Sequence, residues 1–219
     1  MKILVTAATE IEMRAFIDAD GDLEHTSRLI TGIGPVETAL SLSCRIHTEK
    51  AIDQVLNFGI AGAYPENNTP IQAGLLDICL AEQEVFGDLG IQLAERVESF
   101  GTDLPVRDRF LLDQTLLTDA GKALVANGIP YKKGTFVTVN CCSGTLERGH
   151  WIGRQFQGLC ENMEGAAVAR VCERFALPCL EVRCVSNMVE DRNRKKWKLG
   201  QACTEAGRAA AAIVNAFCV

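Results

Sequence analysis

Between Asn162 and Asn187 the sequence switches once from a helical to a strand period, and this switch most narrows what the chain can become. Val168, Val171, Cys172 and Phe175 recur at i, i+3, i+4 and i+7, which predicts a helix starting near Glu164 and burying one face. Pro178 bars its continuation. Leu180, Val182 and Cys184 then alternate with Glu181 and Arg183, a strand period that runs out at Ser186-Asn187. A carboxylate opening the helix and an amide closing the strand are thereby expected to face one cleft. In open α/β sheets ligands bind in that cleft, beyond the carboxyl ends of the strands.

The same alternation runs through the rest of the chain. Ile3-Leu4-Val5 reads as a buried first strand, followed by a helix from Thr9 to Ala19. Thr31-Gly32-Ile33-Gly34-Pro35 leads into a second helix to about Thr48, with Pro35 suited to the first helical position. Val55-Leu56-Asn57-Phe58 reads as a strand ending in a glycine turn, Gly59-Ile60-Ala61-Gly62. A loop from Tyr64 to Gly74 precedes a strand at Leu75–Leu80, and Gln83 to Arg109 is the least readable stretch. A helix from about Asp113 to Asn127, a strand Thr135–Val139 and a polar segment follow. The last helix carries Ala206, Ala209, Ala210, Ile213, Val214 and Phe217 on one narrow apolar face. Strands alternating with helices predict an α/β fold: a single three-layer domain over 1–219 with a central mixed, mainly parallel sheet flanked by helices.

Composition excludes several classes of function. A net charge of −6 with no basic stripe argues against nucleic-acid binding, and Arg192–Lys198 reads as a solvated helix start. No run approaches about 18 uninterrupted apolar residues, so no membrane span is predicted. The N-terminal apolar run is too short for a signal segment. Ten cysteines occur without a CxxC pair or Cys/His ligand spacing, and most lie in apolar runs. They read as buried thiols of a reduced cytoplasmic protein, with Cys141-Cys142 open to oxidation if exposed. No metal or cofactor is called for: Glu37 stands where a dinucleotide fingerprint needs its third glycine, and no GxxxxGK[ST] run occurs.

Three polar residues stand out singly, each with two open readings. Glu12 falls on the apolar face that Ala8, Ile11, Ala15, Phe16 and Ala19 define, where a carboxylate needs partners or a polar cavity and its basicity is tuned for proton transfer. Thr9-Glu10-Ile11-Glu12 also fits a capping box, in which Glu12 merely closes the helix start. Glu164 reads as a ligand-facing acid or as a first-turn acid favoured by the helix dipole. Asn187 reads as a ligand-facing amide or as a cap of the turn after the strand.

Taken in order, Glu12, Gly32-Ile33-Gly34-Pro35, Gly59-Ile60-Ala61-Gly62, Asn162-Met163-Glu164-Gly165-Ala166-Ala167 and Ser186-Asn187 resemble the nucleoside phosphorylase and nucleosidase superfamily over nearly the whole chain. The layout is similar to its methylthioadenosine/S-adenosylhomocysteine nucleosidases, while the tail from Ser186 to Trp197 resembles a hydrolytic branch acting on a 6-oxopurine nucleoside. The resemblance implies an N-glycosidase with a small-molecule purine nucleoside as substrate, in a homodimer or larger homo-oligomer. It implies that Glu12 deprotonates water, that Met163 and Glu164 hold the ribose, and that Ser186 and Asn187 face the purine. Ala61 and Gly62 would lay backbone beside base and water. An adenine-specific member carries an acid where this chain has Asn187, and an amide, both donor and acceptor, matches a 6-oxo group better. The family often stacks an aromatic ring on the purine at the end of the strand that here reads Thr138-Val139-Asn140-Cys141-Cys142, so Val139 and Cys142 are expected in its place. Arg192 is a candidate for a substrate carboxylate or a surface cation.

Overall fold

The fold is described from a computed structural model covering residues 1–219, with Leu23, Lys50, Ala94, Glu95, Asp103 and Val219 outside the description. In chain order the elements are β1 (Ile3–Ala7), α1 (Glu10–Asp18), β2 (Thr26–Ile30), α2 (Pro35–Thr48), β3 (Gln54–Ala63), β4 (Ile78–Phe86), β5 (Ile91–Gln92), β6 (Val97–Glu98) and β7 (Arg109–Leu111). There follow α3 (Gln114–Ala126), β8 (Tyr131–Thr138), α4 (Leu146–Phe156), β9 (Gly158–Asn162), α5 (Gly165–Phe175), β10 (Cys179–Met188), a single 3-10 turn at Arg194–Lys196, and α6 (Leu199–Phe217).

The alternating α/β character is as expected, but the sheet is not an open central layer. β3, β10, β4, β8 and β9 pair in a ring that closes on β3, while β1 and β2 extend from the first half of β3. Closure is possible because β3 is long. Its Gln54–Asn57 half pairs with β1, its Gly62-Ala63 end pairs with β9, and its other edge carries β10. Five of the eight pairings described in this sheet are parallel, so it is mixed and mainly parallel. One apolar core joins the sheet to α1, α3 and α6, a second joins it to α2 and α5, and a smaller one seats Ile152 of α4 beside Tyr64, Val137 and Val139.

Several predicted boundaries shift for reasons outside their own segments. The predicted turn Gly59–Gly62 is strand, because β9 and β10 pair with it, and β10 likewise runs past Ser186-Asn187 to Met188. β4 starts at Ile78 rather than Leu75, since Leu76 turns with φ 66°. The strand expected at Thr135–Val139 is the second half of β8, which begins at Tyr131 and ends at Thr138. α1 buries Met13 and Phe16 and leaves Ile11 71% exposed, not the predicted face. The cause is α6, which comes so close that a Cβ on Gly207 would overlap the Ala15 backbone. In α5 the expected face is buried at Val168, Val171 and Cys172, whereas Phe175 sits in the last turn at the surface.

The polar segment after β8 hides α4 and β9. α4 is capped by Thr145, whose hydroxyl accepts the Arg148 N–H, and it packs mainly through Gly149, Ile152 and Gly153. With two glycines and one aliphatic residue as its buried face, it has no apolar stripe to read. The stretch from Gln83 to Arg109 holds the end of β4 and the two-stranded β5–β6 sheet, and leads into β7.

Candidate active site

Glu12 closes the capping box with one carboxylate oxygen and turns the other to a separate partner. Oε2 accepts the Thr9 N–H at 3.1 Å and the Thr9 hydroxyl at 2.6 Å, completing the capping box of α1. Oε1 points the other way and accepts the Ile60 N–H of β3 at 3.0 Å. The side chain is 4% exposed, and Gly59 makes room for it: a Cβ there would lie 2.5 Å from Oε1 and 2.8 Å from Arg183 Nη1.

Arg183 is the group that sequence reading missed. On β10 it alternates with apolar residues as a solvent-facing residue would, yet it is 2% exposed. Its Nε donates to Glu181 Oε1 at 2.8 Å, its Nη2 to Glu164 Oε2 at 3.3 Å and its Nη1 to the Ile60 carbonyl at 3.2 Å. Glu181 and Glu164 hold the guanidinium's pKa above its ordinary value against the cost of burial. Arg183 thus joins Glu164, at the start of α5, to the carbonyl of Ile60, the residue whose N–H Glu12 accepts. An arginine two residues after a glutamate, on the same face of a strand whose other face is apolar, was the available signal.

Glu164 caps α5 by position, with no capping hydrogen bond from its side chain. Its carboxylate accepts the Gly34 N–H at 3.1 Å through Oε1 and Arg183 through Oε2. The Gly32-Ile33-Gly34 turn, with φ of 83° and 94° at its two glycines, therefore delivers backbone to a side chain of the site. Burial raises the Glu164 pKa above its ordinary value, with Arg183 and the Gly34 N–H working in the opposite direction and the charge of Glu12 adding to the rise. The first-turn acid reading leaves these two directed contacts unexplained.

Asn187 lies four residues beyond Arg183 on β10. The β3–β10 register slips between Val185 and Asn187, so Ser186 is the extra residue of a bulge and Asn187 pairs with Gly62. Ser186 Oγ lies 2.8 Å from Asn187 Oδ1 and 3.2 Å from the Ala61 carbonyl, so its one proton serves one of the two. Asn187 Nδ2 donates to the Met188 carbonyl at 3.2 Å, and among the described residues its second N–H has no partner. A Cβ on Gly62 would lie 3.0 Å from Nδ2, so the glycine permits this approach.

The remaining candidates divide. Cys142 and Met163 meet, with their sulfurs 3.2 Å apart, and Glu164 and Arg192 are close enough to act electrostatically on the Cys142 thiol. Although the residue is exposed, partial desolvation of its thiol is the first cause that raises its pKa, with Glu161 and Glu164 adding to the rise. Arg192 is exposed, stacks its guanidinium 5.3 Å from the Trp197 ring centre and donates its backbone N–H to the Gly144 carbonyl at 3.2 Å. The tail bearing it thus touches the segment after Cys142, and, exposed from Arg192 on at every residue but Trp197, it runs through the Arg194–Lys196 turn to Lys198, the N-cap of α6. Val139 is placed elsewhere, fully buried in the core beside Tyr64 and Ile152. A fold-specific anchor holds Ser143: Glu161 accepts its N–H at 2.8 Å and its hydroxyl at 2.6 Å.

Away from the cluster, a groove of about 890 Å³ runs along α4 past His150, Trp151 and Arg154, and neither Glu12, Glu164 nor Asn187 lines it. Among the described residues the donor atoms of Asp22, His25 and Cys218 lie within 4.8 Å of one another, a grouping the Asp22–His25 ion pair at 2.9 Å accounts for. All ten cysteines are free, six of them buried, with Cys141 and Cys142 exposed. No helix among the described residues is long and apolar enough to cross a membrane.

Glu12 and Glu164 can therefore offer carboxylate oxygens to water or hydroxyl groups, and Asn187, further along β10, offers an amide that both donates and accepts. Residues 5–218 match the Phosphorylase superfamily. Among known relatives, futalosine hydrolase of Thermus thermophilus is 30% identical over 181 residues, covering 83% of this chain and 77% of that protein. Futalosine hydrolase of Streptomyces coelicolor is 31% identical over 180 residues, covering 80% and 72%. Among solved structures, 5′-methylthioadenosine/S-adenosylhomocysteine nucleosidase of Helicobacter pylori has a TM-score of 0.83 at 19% identity, covering 98% of each chain, a likeness of fold.

Proposed function

The chain belongs to the phosphorylase superfamily, and we propose that, as a single domain, it hydrolyses the N-glycosidic bond of futalosine to hypoxanthine and dehypoxanthinyl futalosine, a step toward menaquinone. The observation that carries the reading is the contact of Glu12 and Arg183 with opposite sides of one residue, Ile60, with Glu164 on Arg183 and Asn187 on the same pair of strands.

The chemistry asks for these residue types. Cleavage of a ribosyl C–N bond passes through an oxocarbenium-like state, with positive charge on the sugar and negative charge on the departing purine. Glu12 Oε1 takes a proton from water while the water oxygen bonds to C1′. Glu164 accepts hydrogen bonds from ribose hydroxyls and favours the growing positive charge, a preorganised contact worth on the order of 3 kcal/mol. Asn187 donates its free N–H to O6 and accepts from protonated N7 through Oδ1. That proton comes from water or another group, since an amide is no general acid. Ser186 sets the amide's orientation, Ala61 and Gly62 line the same edge with backbone, and Met163 and Cys142 flank the sugar and base. Arg192 faces the substrate's benzoate carboxylate.

Hydrolysis is favoured over phosphorolysis. From Thr6 to Met13 there is no Arg or Lys, Glu12 repels phosphate, and Arg183 is already committed to two carboxylates. A methylthioadenosine-type nucleosidase is the second reading, and Asn187 weighs against it, because an adenine amino group wants an acceptor backed by an acid. The proposal extends to a cytoplasmic homodimer or larger assembly in which a neighbouring subunit completes the pocket. The test is incubation with futalosine, with and without phosphate, followed by chromatography. Free hypoxanthine with no ribose 1-phosphate product is expected, and no hypoxanthine under either condition refutes the reading.

A further inference from the structure

Behind Glu164 lies a second buried acid, Glu84 of β4, fully buried and without contact to the proposed substrate position. Its Oε1 accepts the Asn162 Nδ2–H at 2.6 Å, and its Oε2 lies 2.7 Å from Thr138 Oγ1. Thr138 Oγ1 in turn accepts the Ala166 N–H at 2.7 Å and lies 3.0 Å from Asn162 Oδ1. Asn162 Oδ1 also accepts the N–H groups of Glu164 at 2.9 Å and Gly165 at 2.7 Å. Three side chains thus form a closed ring, and that ring takes up the N–H groups of Glu164, Gly165 and Ala166 at the start of α5.

Proton counting decides the ring's direction. Two backbone N–H groups fix the oxygen of the Asn162 amide toward Thr138, so this oxygen can only accept. Thr138 has one proton for two oxygen neighbours. If Glu84 were a carboxylate, Thr138 would donate to it, and Thr138 and Asn162 would face each other at 3.0 Å as two acceptors. If Glu84 carries a proton, every contact is satisfied: Glu84 O–H to Thr138, Thr138 O–H to Asn162 Oδ1, and Asn162 N–H back to Glu84 Oε1.

A second observation agrees. Glu84 Oε1 and Glu181 Oε2 both crowd Gly165, where any Cβ would overlap them. Two carboxylates facing across one glycine cannot both be charged at low cost, and Arg183 holds Glu181. The ionisable groups acting on Glu84 are Glu181 and Arg183 of β10, and Glu84 itself acts on Cys160 of β9. Burial first and the charge of Glu181 second keep the Glu84 pKa well above the ordinary carboxylate value.

We propose that Glu84 is a positioning residue held neutral, whose O–H drives a closed hydrogen-bond ring that sets the start of α5 and with it the carboxylate of Glu164. Its consequence for turnover rests on the role proposed for Glu164; the protonation itself does not. The test is the infrared difference spectrum of unliganded wild type against Glu84→Gln at neutral pH, combined with kinetics on futalosine. Wild type should show the carbonyl band of a neutral buried carboxyl, shifted in deuterium oxide and absent from Glu84→Gln. The Gln amide can donate to Thr138 and accept from Asn162, so it should rescue the kcat/KM that Glu84→Ala and Thr138→Val lose, about 10²-fold for a misplacement of about 1 Å. Absence of the neutral band, or a folded Glu84→Gln as inactive as Glu84→Ala, overturns the proposal. If wild type does not cleave futalosine, the substrate reading fails while the spectrum still decides the protonation of Glu84. If Glu84→Ala does not fold, the spectrum and the Thr138→Val comparison decide.

Discussion

Substituting Glu12 by Gln separates the two functions that this side chain combines. The carboxylate presents one oxygen to Thr9 and the other to Ile60. An amide has a single oxygen, so whichever way it turns, its NH2 group meets a backbone N–H, that of Thr9 or that of Ile60, which loses its acceptor. Leaving such a buried donor unpaired costs about 1–3 kcal/mol. For a chain of this size that corresponds to roughly 2–4 °C in melting temperature per kcal/mol. Removal of a general base costs far more in the reaction, about 10²–10⁴-fold, or about 3–5 kcal/mol of barrier. Hypoxanthine release well below the melting point, with a thermal melt in parallel, reads both quantities. Glu12→Gln should melt a few degrees lower, bind substrate and lose most turnover. Thr9→Ala, which opens the capping box and keeps the carboxylate, should lose about 1 kcal/mol of stability with a much smaller loss of turnover. A folded Glu12→Gln protein with wild-type turnover refutes the catalytic assignment and leaves capping as the residue's only role.

Three further outcomes are expected. Asn187→Asp should move the kcat/KM ratio toward 6-aminopurine nucleosides by about 10- to 100-fold, the worth of one charge-assisted hydrogen bond of about 1.5–3 kcal/mol; an unchanged ratio between 6-oxo and 6-amino substrates counts against Asn187 as selector. Because burial raises the Glu164 pKa, kcat/KM should fall with decreasing pH through a value above the ordinary 4.5. The sign for stability is opposite, since a raised folded-state pKa gives stability that is present below the unfolded value and lost as pH rises through the folded one. An acid limb at or below 4.5 would contradict this. Arg183→Met strands the two buried carboxylates and should cost about 3–5 kcal/mol in urea unfolding; it should also move the acid limb of any surviving activity upward, because Arg183 lowers the Glu164 pKa.

What could be read in the sequence is what local physics decides. Pro35 opens α2, Asp113 caps α3 and accepts from Thr115 and Leu116, and Thr9 with Glu12 closes the start of α1; each acts within about four residues. Glu12, Glu164 and Asn187 were legible as candidates for the same reason, because each stands at or near the boundary of an element whose period is written in its own segment. Tertiary structure alone decided that β3 continues through Gly59–Gly62, since only the pairing with β9 and β10 gives that backbone its partners. It decided that α4 is a helix, because glycines fitting under Tyr64 and Val189 carry no periodic signal. It also turned Glu181 and Arg183 inward. Alternating polar residues on a strand read as a solvent face until the sheet closes and α5 brings Glu164 down beside them. The cost of burying a charge is then met by another charge from a distant part of the chain. A partner at such sequence distance leaves no period in the sequence, and that is why Arg183, which links the buried carboxylates of the candidate site, had to be found in the fold.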